Sequence, residues 1–368
     1  MSEAPHASYE GAGVDYAILD AAKRAAIGAA TNTSLNAERL GALVDDRSRG
    51  ESAVVVKLGE EQLGFVLECL GTKSMVASRF LKETGVDRFD SIGYDTVAAA
   101  VNDCVCVGAL PFVVNAYFAT GAAGFYAGSR HASLVEGFRQ GCDDAGAAWG
   151  GGESPTLSGL IEADEIDLAA SAIGRIPYGV APILGERLVA TDEIVIVSSS
   201  GLHANGASLV RMVADELPDG LGTLLPSGRS FGEVILDPAL IYVRLVETLL
   251  LGSVDVHYLS HVTGHGLRKL MRANAEVTYR LTALPEVPEA LSFLVAQAGL
   301  GAHEAYGTLN MGAGFAVYVA KGSGERVVSA AKDCGLKAIL AGVVEEGPRE
   351  VILEPVAVRF SGSELELR

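Results

Sequence analysis

The sequence predicts a two-domain α/β protein, and three observations lead to this fold class. The chain has 368 residues, which is too long for one ordinary hydrophobic core and suits two domains. Strand-like runs alternate with helical runs in both halves of the chain. Apolar residues make up 49% of the sequence, aromatic residues only 6%, and glycines number 44. Small side chains therefore fill much of the core, which favours layered α/β structure over an all-β sandwich.

In the first half, the periodicity of apolar residues predicts four helices and four strands. The helices are expected at residues 16–30, 72–83, 96–107 and 132–145, and the strands at 53–58, 63–69, 112–119 and 166–173. Only residues 59–62 separate the first two strands, so these are expected to pair as a hairpin. Gly108 and Pro111 are stop signals that end the third helix.

The pattern restarts after residues 175–179, and we place a domain boundary there, between residues 1–176 and residues 177–368. In the second half we expect strands at 193–198, 312–319 and 338–344 and helices at 208–215 and 238–251. A loop of small polar residues, 199–206, connects the first of these strands to the first of these helices.

The formal net charge of −18 excludes some classes of partner. A protein that follows a nucleic-acid backbone needs a basic face, and docking on anionic membranes also needs cations, so neither partner is expected. Phosphorylated small molecules are not excluded, because a loop or a helix N-terminus can hold a phosphate inside an acidic protein.

Cysteine usage and the absence of a targeting signal indicate a cytoplasmic protein. The chain has five cysteines, an odd number, and none of them form a C-x-x-C pair. Reduced thiols are therefore the simplest interpretation. No secretion signal is visible in the first residues. Residues 104–129 lack charged side chains, but Gly108, Pro111, Asn115 and Gly121 interrupt them. A buried helix end followed by a buried strand is expected there, not a membrane span.

A first group of candidate site residues follows the second strand, where Glu68, Gly71, Thr72 and Lys73 lie within six positions. A carboxylate, a flexible turn, a hydroxyl and an ammonium suit a nucleotide phosphate and its magnesium ion. The spacing is not that of a P-loop. A tight turn followed by a solvated lysine is the alternative, and the residues alone favour it.

A second group consists of Asp95, Asn102 and Asp103, whose separations of seven and eight place them on one helical face. The rest of that face is alanine and valine, and buried carboxylates need partners. A magnesium ion is one possible partner. The alternative is an N-terminal cap at Asp95 with an internally satisfied Asn–Asp pair, and the pattern alone leaves both open.

Two further segments are rich in glycine or in small polar residues. Gly151, Gly152 and Glu153 follow a tryptophan and a glycine, and such glycines let a backbone approach a ligand closely. The loop 198–206 offers hydroxyls and backbone donors ahead of a helix, which suits a phosphate group. A polar loop with a helix cap is an equally open interpretation.

His261 and His265 are four residues apart, a spacing at which two histidines on a helix bind zinc. Gly264 between them makes a loop the better prediction, and no third ligand is evident. We therefore predict no zinc site at this segment.

Ten short motifs follow one another along nearly the whole chain. They are Y-E-G-A-G-V-D at residues 9–15, L-G-T-K at 70–73, D-S-I-G-Y-D at 90–95, V-N-D at 101–103, G-A-L-P at 108–111, Y-F-A-T-G at 117–121, G-G-E at 151–153, the segment 199–211, H-V-T-G at 261–264 and N-M-G at 310–312. Each is weak alone. Their ordered set resembles the aminoimidazole ribonucleotide synthetase (phosphoribosylformylglycinamidine cyclo-ligase) family.

This resemblance implies two domains, each a mixed sheet packed with helices, and a homodimer that uses ATP and Mg²⁺. It implies transfer of the γ-phosphoryl group of ATP to an amide oxygen of a phosphorylated small molecule, followed by ring closure by an internal nitrogen in purine biosynthesis. The implied site residues are Lys73, Asp103 and Glu153 for catalysis; Gly71, Thr72, Lys73, Asn102, Gly151 and Gly152 for the nucleotide; Ser199, Ser200, His203, Asn205, His261 and Thr263 for the substrate; and Glu68, Asp95 and Asp103 for the metal.

The chain departs from the family pattern at several implied site positions. Glu68 and Cys69 stand where the family has Asp-Gly, Thr156 replaces a second carboxylate after G-G-E, and His265 replaces a glycine. A glycine-rich flap is not recognisable near residues 33–52.

Three functions therefore stay open at the level of the sequence. The first is the cyclo-ligase itself, and the second is a paralogue that phosphorylates a different amide or small metabolite. The third is a nucleotide-binding relative without catalysis, against which the retained Lys73, Asn102 and Asp103 argue.

Overall fold

The computed structural model describes residues 16–365, which form two mixed sheets packed with helices, so the predicted fold class is confirmed. The motif at residues 9–15 lies outside the described residues. The helices of this part of the chain, numbered in order, are α1 Tyr16–Thr31, α2 Lys73–Thr84, α3 Phe89–Val105, α4 Ser129–Ala145, α5 Ala207–Glu216, α6 Phe231–Ile235, α7 Val243–Leu251, α8 Glu289–Ala298, α9 Ala302–Thr308 and α10 Gly324–Asp333.

The first sheet lies entirely in the first half of the chain. Its strands are β1 Ala42–Asp45, β2 Val54–Leu58, β3 Glu61–Cys69, β4 Leu110–Thr120, β5 Ala148–Glu153 and β6 Ile166–Arg175. They lie side by side in the order β1-β2-β3-β6-β4-β5. Only the β4–β5 pair is parallel within this sheet. The hairpin predicted between β2 and β3 is present, with Leu58 opposite Glu61.

The second sheet contains the strands of the second half. These are β7 Glu193–Ser198, β8 Val256–His261, β9 Val277–Leu281, β10 Ala313–Val319, β11 Ala338–Glu346, β12 Glu350–Leu353 and β13 Val358–Ser361. Their order is β13-β12-β9-β11-β7-β10-β8, with β7 and β10 in the interior. Every residue of β10 is buried, as expected for a strand with structure on both faces.

Helix α3 packs very closely against α4, and glycines make this possible. A Cβ atom added at Gly93 would lie 2.0 Å from the carbonyl oxygen of Leu134, and one added at Gly137 would lie 1.7 Å from that of Asp90. No larger residue fits at either position without moving the backbone. The close crossing leaves the other side of α3 free to face the first sheet and the second half of the chain.

The structure corrects two of the predicted elements and adds one. Helix α3 begins at Phe89, not near residue 96, so Asp95 lies inside the helix and does not cap it. Residues 238–242 form no regular element, and α7 begins only at Val243; backbone groups of this segment bond to side chains of α3. Residues 148–153, for which no element was predicted, form strand β5 and pair with β4.

The polar face of α3 binds the segment 238–242 of the second half. The amide of Asn102 donates to the carbonyl of Leu240 at 2.8 Å and accepts from the N–H of Tyr242 at 2.9 Å. A carboxylate oxygen of Asp95 accepts from the N–H of Ala239 at 2.7 Å. The face that the sequence identified as polar and buried therefore joins the two halves of the molecule.

The uncharged stretch 104–129 ends α3 and continues into β4, as predicted. No helix within residues 16–365 has the length and apolar character needed to cross a membrane.

We predict that Asn102→Ala lowers the free energy of unfolding by about 2–4 kcal/mol, because it leaves a buried carbonyl and a buried N–H without partners. Urea denaturation of the purified protein measures this change. Asn36→Ala, at an exposed position, serves as the matched control and should change stability by less than about 0.5 kcal/mol. A loss below about 1 kcal/mol for Asn102→Ala would show that the contact does not hold the halves together.

Candidate active site

A cavity of about 790 Å³ lies between the two halves of the molecule. Its walls come from α1, the end of β3, the turn after it, α3, the loop before α5, the end of β8 and the 3-10 turn Gly266–Met271. Of the sequence-predicted site residues, it brings together Glu68, Gly71, Thr72, Asp103, Asn205, His261 and Thr263. Glu51, Lys269 and Arg272 also line it, and the sequence did not identify them as site residues.

Glu68 and Asp103 form a carboxylate pair in the cavity wall. Burial and the neighbouring charge of Asp103 raise the pKa of Glu68 to about 8. Burial also acts to raise the pKa of Asp103, but the hydrogen bond from His261 and the nearby cations outweigh it, so this pKa lies below its usual range. The Nδ1 of His261 is 2.6 Å from the Oδ1 of Asp103. The two carboxylates therefore repel each other, and a positive charge placed between them, a proton or a metal ion, would relieve this repulsion.

This pair fits a magnesium ion that is held jointly by protein and nucleotide. Magnesium in phosphoryl-transfer sites is bound by one or two carboxylates, with phosphate oxygens and water completing the octahedron. Among residues 16–365, no group of three or more His, Cys, Asp or Glu side chains is placed to hold a metal ion. The chemistry of the two carboxylates fits a magnesium site of this shared kind.

Asp95, which the resemblance implies as a metal ligand, does not line the cavity beside this pair. Its Oδ2 lies 2.5 Å from the Nζ of Lys73, and both side chains are fully buried. Its other oxygen accepts the N–H of Ala239. Lys73 likewise does not line the cavity. The resemblance implies that this lysine acts in catalysis and nucleotide binding, whereas in the structure it forms an internal ion pair. Removal of either charge would leave the other buried and uncompensated.

Asn102 is directed to the second half and not to the cavity, since both ends of its amide bond the backbone of residues 240 and 242. The resemblance implies nucleotide binding by this residue. In the structure its hydrogen-bonding capacity serves the contact between the two halves.

The loop 199–206 has three predicted substrate-binding side chains that point into the protein. Ser199 donates to the amide oxygen of Asn310 at 2.8 Å, and Ser200 donates to the carbonyl of Pro238 at 2.6 Å. His203 is buried and its Nε2 accepts the N–H of Ser200 at 3.1 Å. Burial and the nearby charged groups hold the pKa of His203 well below its usual range, so the imidazole is neutral. These contacts fix the loop, which presents Asn205 to the cavity.

Gly151, Gly152 and Glu153 lie away from the cavity, on the edge strand β5. The close approach that the glycines permit is to β4, because a Cβ atom at Gly152 would lie 2.0 Å from the carbonyl oxygen of Ala116. Glu153 is exposed. Within this chain the segment therefore supplies no group to the cavity, and its implied catalytic and nucleotide roles find no geometric support.

Three of the departures from the family pattern lie at the cavity and one does not. Glu68, Cys69 and His265 line it, and His265 adopts a left-handed backbone conformation with φ of 71°. Residues other than glycine are uncommon in this conformation, but histidine is one of the few types that adopt it more often. Thr156 is exposed and its backbone pairs with that of Thr120.

Arg272 and Lys269 are the cations that sequence reasoning missed. Arg272 donates to the carbonyl of Gly50 at 3.0 Å and to the hydroxyl of Ser52 at 2.7 Å. It therefore fixes the end of the segment 33–52, where the family has a glycine-rich flap. Burial and the charge of Arg272 lower the pKa of Lys269 to about 8, against the opposing effect of the carboxylates. A signal did exist, since three cations, Arg268, Lys269 and Arg272, follow directly after H-V-T-G in an otherwise acidic chain.

The chain belongs to the AIR synthase related protein family. The model of the N-terminal domain of this family matches residues 50–176, and the model of its C-terminal domain matches residues 190–354. The predicted family is thus confirmed, and with it the prediction of an enzyme of the ligase class.

Individual proteins support this membership. A phosphoribosylformylglycinamidine cyclo-ligase of Methanothermobacter thermautotrophicus is 34% identical over 307 residues, which cover 83% of this chain and 86% of that protein. The solved structure of hydrogenase maturation protein HypE in complex with ATP matches with a TM-score of 0.58 at 19% identity, over 81% of this chain and 83% of that one. Thiamine-monophosphate kinase from Stenotrophomonas maltophilia matches with a TM-score of 0.57 at 20% identity, over 82% and 89%. Likeness at these identities confirms the fold.

The raised pKa of Glu68 predicts a specific pH dependence of stability. Its pKa of about 8 in the folded protein exceeds the value of about 4.3 for an unfolded chain, so folding is favoured by proton binding. This contribution is complete below pH of about 4 and is lost as the pH rises to about 8. We expect the free energy of unfolding to fall across this window, by at most about 1 kcal/mol per pH unit because the side chain still contacts the cavity solvent.

Chemical denaturation at pH 5, 6, 7 and 8 tests this expectation. Glu68→Gln should remove most of the decline, since an amide keeps the shape but does not titrate. The lowered pKa of Asp103 affects stability only at lower pH. A decline of equal slope in Glu68→Gln would show that another group is responsible.

Proposed function

We propose that this protein is an ATP-dependent cyclo-ligase that phosphorylates the amide oxygen of formylglycinamidine ribonucleotide and closes the imidazole ring. Relatives of this name match most of the chain. The observation that carries the proposal is the cluster of Glu68, Asp103 and His261 at a cavity large enough for a nucleotide and a second small molecule. The cytoplasm is the proposed location, in keeping with five unpaired cysteines.

Some residues of the cavity would neutralise the charge of the phosphates, and others would position the reacting groups. Asp103 and Glu68 would hold magnesium, which when bound neutralises charge on the phosphate oxygens of ATP. His261 orients the Asp103 carboxylate through its 2.6 Å contact. Asn205 and the N-terminus of α5, where Ser208 lies 3.3 Å from the hydroxyl of Thr72, offer donors to phosphate groups.

A homodimer is part of this proposal, and the first sheet supports it. The face opposite α3 carries apolar side chains on neighbouring strands, with Phe65 of β3 opposite Val54 of β2 and Ile173 of β6. Leu67 on the same face is 72% exposed. An apolar sheet face of this kind suits a second copy of the same chain.

A second candidate function is the phosphorylation of a different amide or small metabolite. It is favoured by the cavity itself, because Cys69 and His265 both line it and both differ from the family pattern. Folds of this type also include a thiamine-monophosphate kinase.

Formation of aminoimidazole ribonucleotide from formylglycinamidine ribonucleotide, ATP and magnesium distinguishes the two candidates. We expect product from the purified wild type, and a fall in kcat of at least about 100-fold in Asp103→Asn because a charged metal ligand is lost. Asp90→Asn, on an exposed turn of the same helix, is the matched control and should keep normal turnover. A folded wild type that binds ATP but forms no product would refute the cyclo-ligase and leave the second candidate.

A further inference from the structure

Lys269 is a buried cation that lines the cavity without a partner among the described residues. The side chain belongs to the 3-10 turn Gly266–Met271 after β8, and the residue is 9% exposed. Within residues 16–365, no hydrogen bond or ion pair engages its ammonium group. Burying an unpaired charge is costly. The position of this ammonium group therefore suits an anionic ligand that would contact it, since no described side chain does so.

The other cations of the cavity differ from Lys269 in this respect. Arg272 is already bonded to Gly50 and Ser52. Lys23 lies on the exposed part of α1 and has an interaction of its own. Among the described residues, Lys269 is therefore the buried lining cation that is available to a ligand.

The turn that carries Lys269 is held rigidly. Its neighbours Leu270 and Met271 are fully buried. The hydroxyl of Ser260 donates to the carbonyl of Lys269 at 2.8 Å, and the hydroxyl of Tyr318 donates to that of Leu270 at 2.7 Å. A donor on so fixed a backbone is placed before its ligand arrives, which is what stabilisation of a transferring charged group requires.

The charges around Lys269 indicate which ligand it receives. The cavity is lined by three carboxylates, Glu51, Glu68 and Asp103, and three cations, Lys23, Lys269 and Arg272. In formal charge the lining is thus balanced, although the whole chain carries −18. A divalent metal on the carboxylate pair would leave an excess of positive charge, and Lys269 is close enough to feel both Glu68 and Asp103. A group with several negative oxygens, bound beside the metal, restores the balance.

We propose that Lys269 binds the phosphoryl group that ATP donates, beside the Glu68–Asp103 pair. This assignment rests on the proposed function. As transfer proceeds, the bond from the γ-phosphorus to its bridging oxygen breaks, its electron pair stays on ADP, and the amide oxygen bonds the phosphorus. The internal nitrogen then attacks the activated carbon and loses a proton, and the amide oxygen leaves within inorganic phosphate. Lys269 keeps its proton throughout and stays on the phosphoryl oxygens.

Calorimetric titration with a non-hydrolysable ATP analogue and with ADP, both with magnesium, tests the assignment. We expect Lys269→Met to weaken binding of the triphosphate analogue by at least about tenfold, the size of one charge-assisted hydrogen bond, and of ADP by less than about threefold. Lys269→Arg, which keeps the charge, should recover part of the preference for the triphosphate. Lys332→Met, at an exposed position on α10, is the matched control and should bind both nucleotides as the wild type does.

The outcomes separate this assignment from the proposed function. Equal affinity changes for the triphosphate analogue and ADP, or an effect confined to the ribonucleotide substrate, would overturn the role of Lys269 while the wild type still binds ATP. A wild type that binds neither nucleotide would overturn ATP use and this assignment together. If Lys269→Met does not fold, Lys269→Gln takes its place in the same titrations. A loss of affinity confined to the triphosphate analogue then supports the assignment, and unchanged or equally changed affinities for the two nucleotides overturn it.

Discussion

The hydrogen bonds between the amide of Asn102 and the backbone of Leu240 and Tyr242 hold the two halves of this molecule in register. One residue further along α3, Asp103 meets His261 from the end of β8. The same helix therefore joins the halves and supplies a carboxylate to the cavity that forms between them. A shift of α3 by even one residue would separate this carboxylate from His261 and would leave buried backbone groups without partners.

Burial of charge is the second constraint. The cavity wall shields two carboxylates and a lysine from most of the solvent, and each has a pKa displaced from its ordinary range. Such an arrangement costs stability in the absence of ligands and is commonly found at functional sites. The buried pair of Lys73 and Asp95 differs, because each charge already has its counterpart and neither group lines the cavity. Lys73 and Asp95 therefore belong to the interior of the protein, whereas Glu68, Asp103 and Lys269 line the cavity.

The sequence predicted the elements whose apolar periodicity is strong, such as β3, β4 and α4, and it predicted that one face of α3 is polar and buried. It did not predict what that face contacts, because Asn102 and its partner Leu240 are 138 residues apart and no local pattern reports such a contact. Glu153 was placed in the site by its motif, yet pairing with β4 puts it at a sheet edge. Lys269 was missed because its position follows from a 3-10 turn that periodicity does not reveal.

In the proposed site, Glu68 and Asp103 bind the metal that contacts the phosphates, while Lys73 and Asp95 stay paired inside the protein. A crystal structure of the protein with magnesium and a non-hydrolysable ATP analogue tests this most directly. The account predicts electron density for magnesium between the Glu68 and Asp103 carboxylates and the phosphate oxygens, with the contact between Lys73 and Asp95 intact. Magnesium coordinated by Asp95, with Lys73 released to the nucleotide, would contradict it.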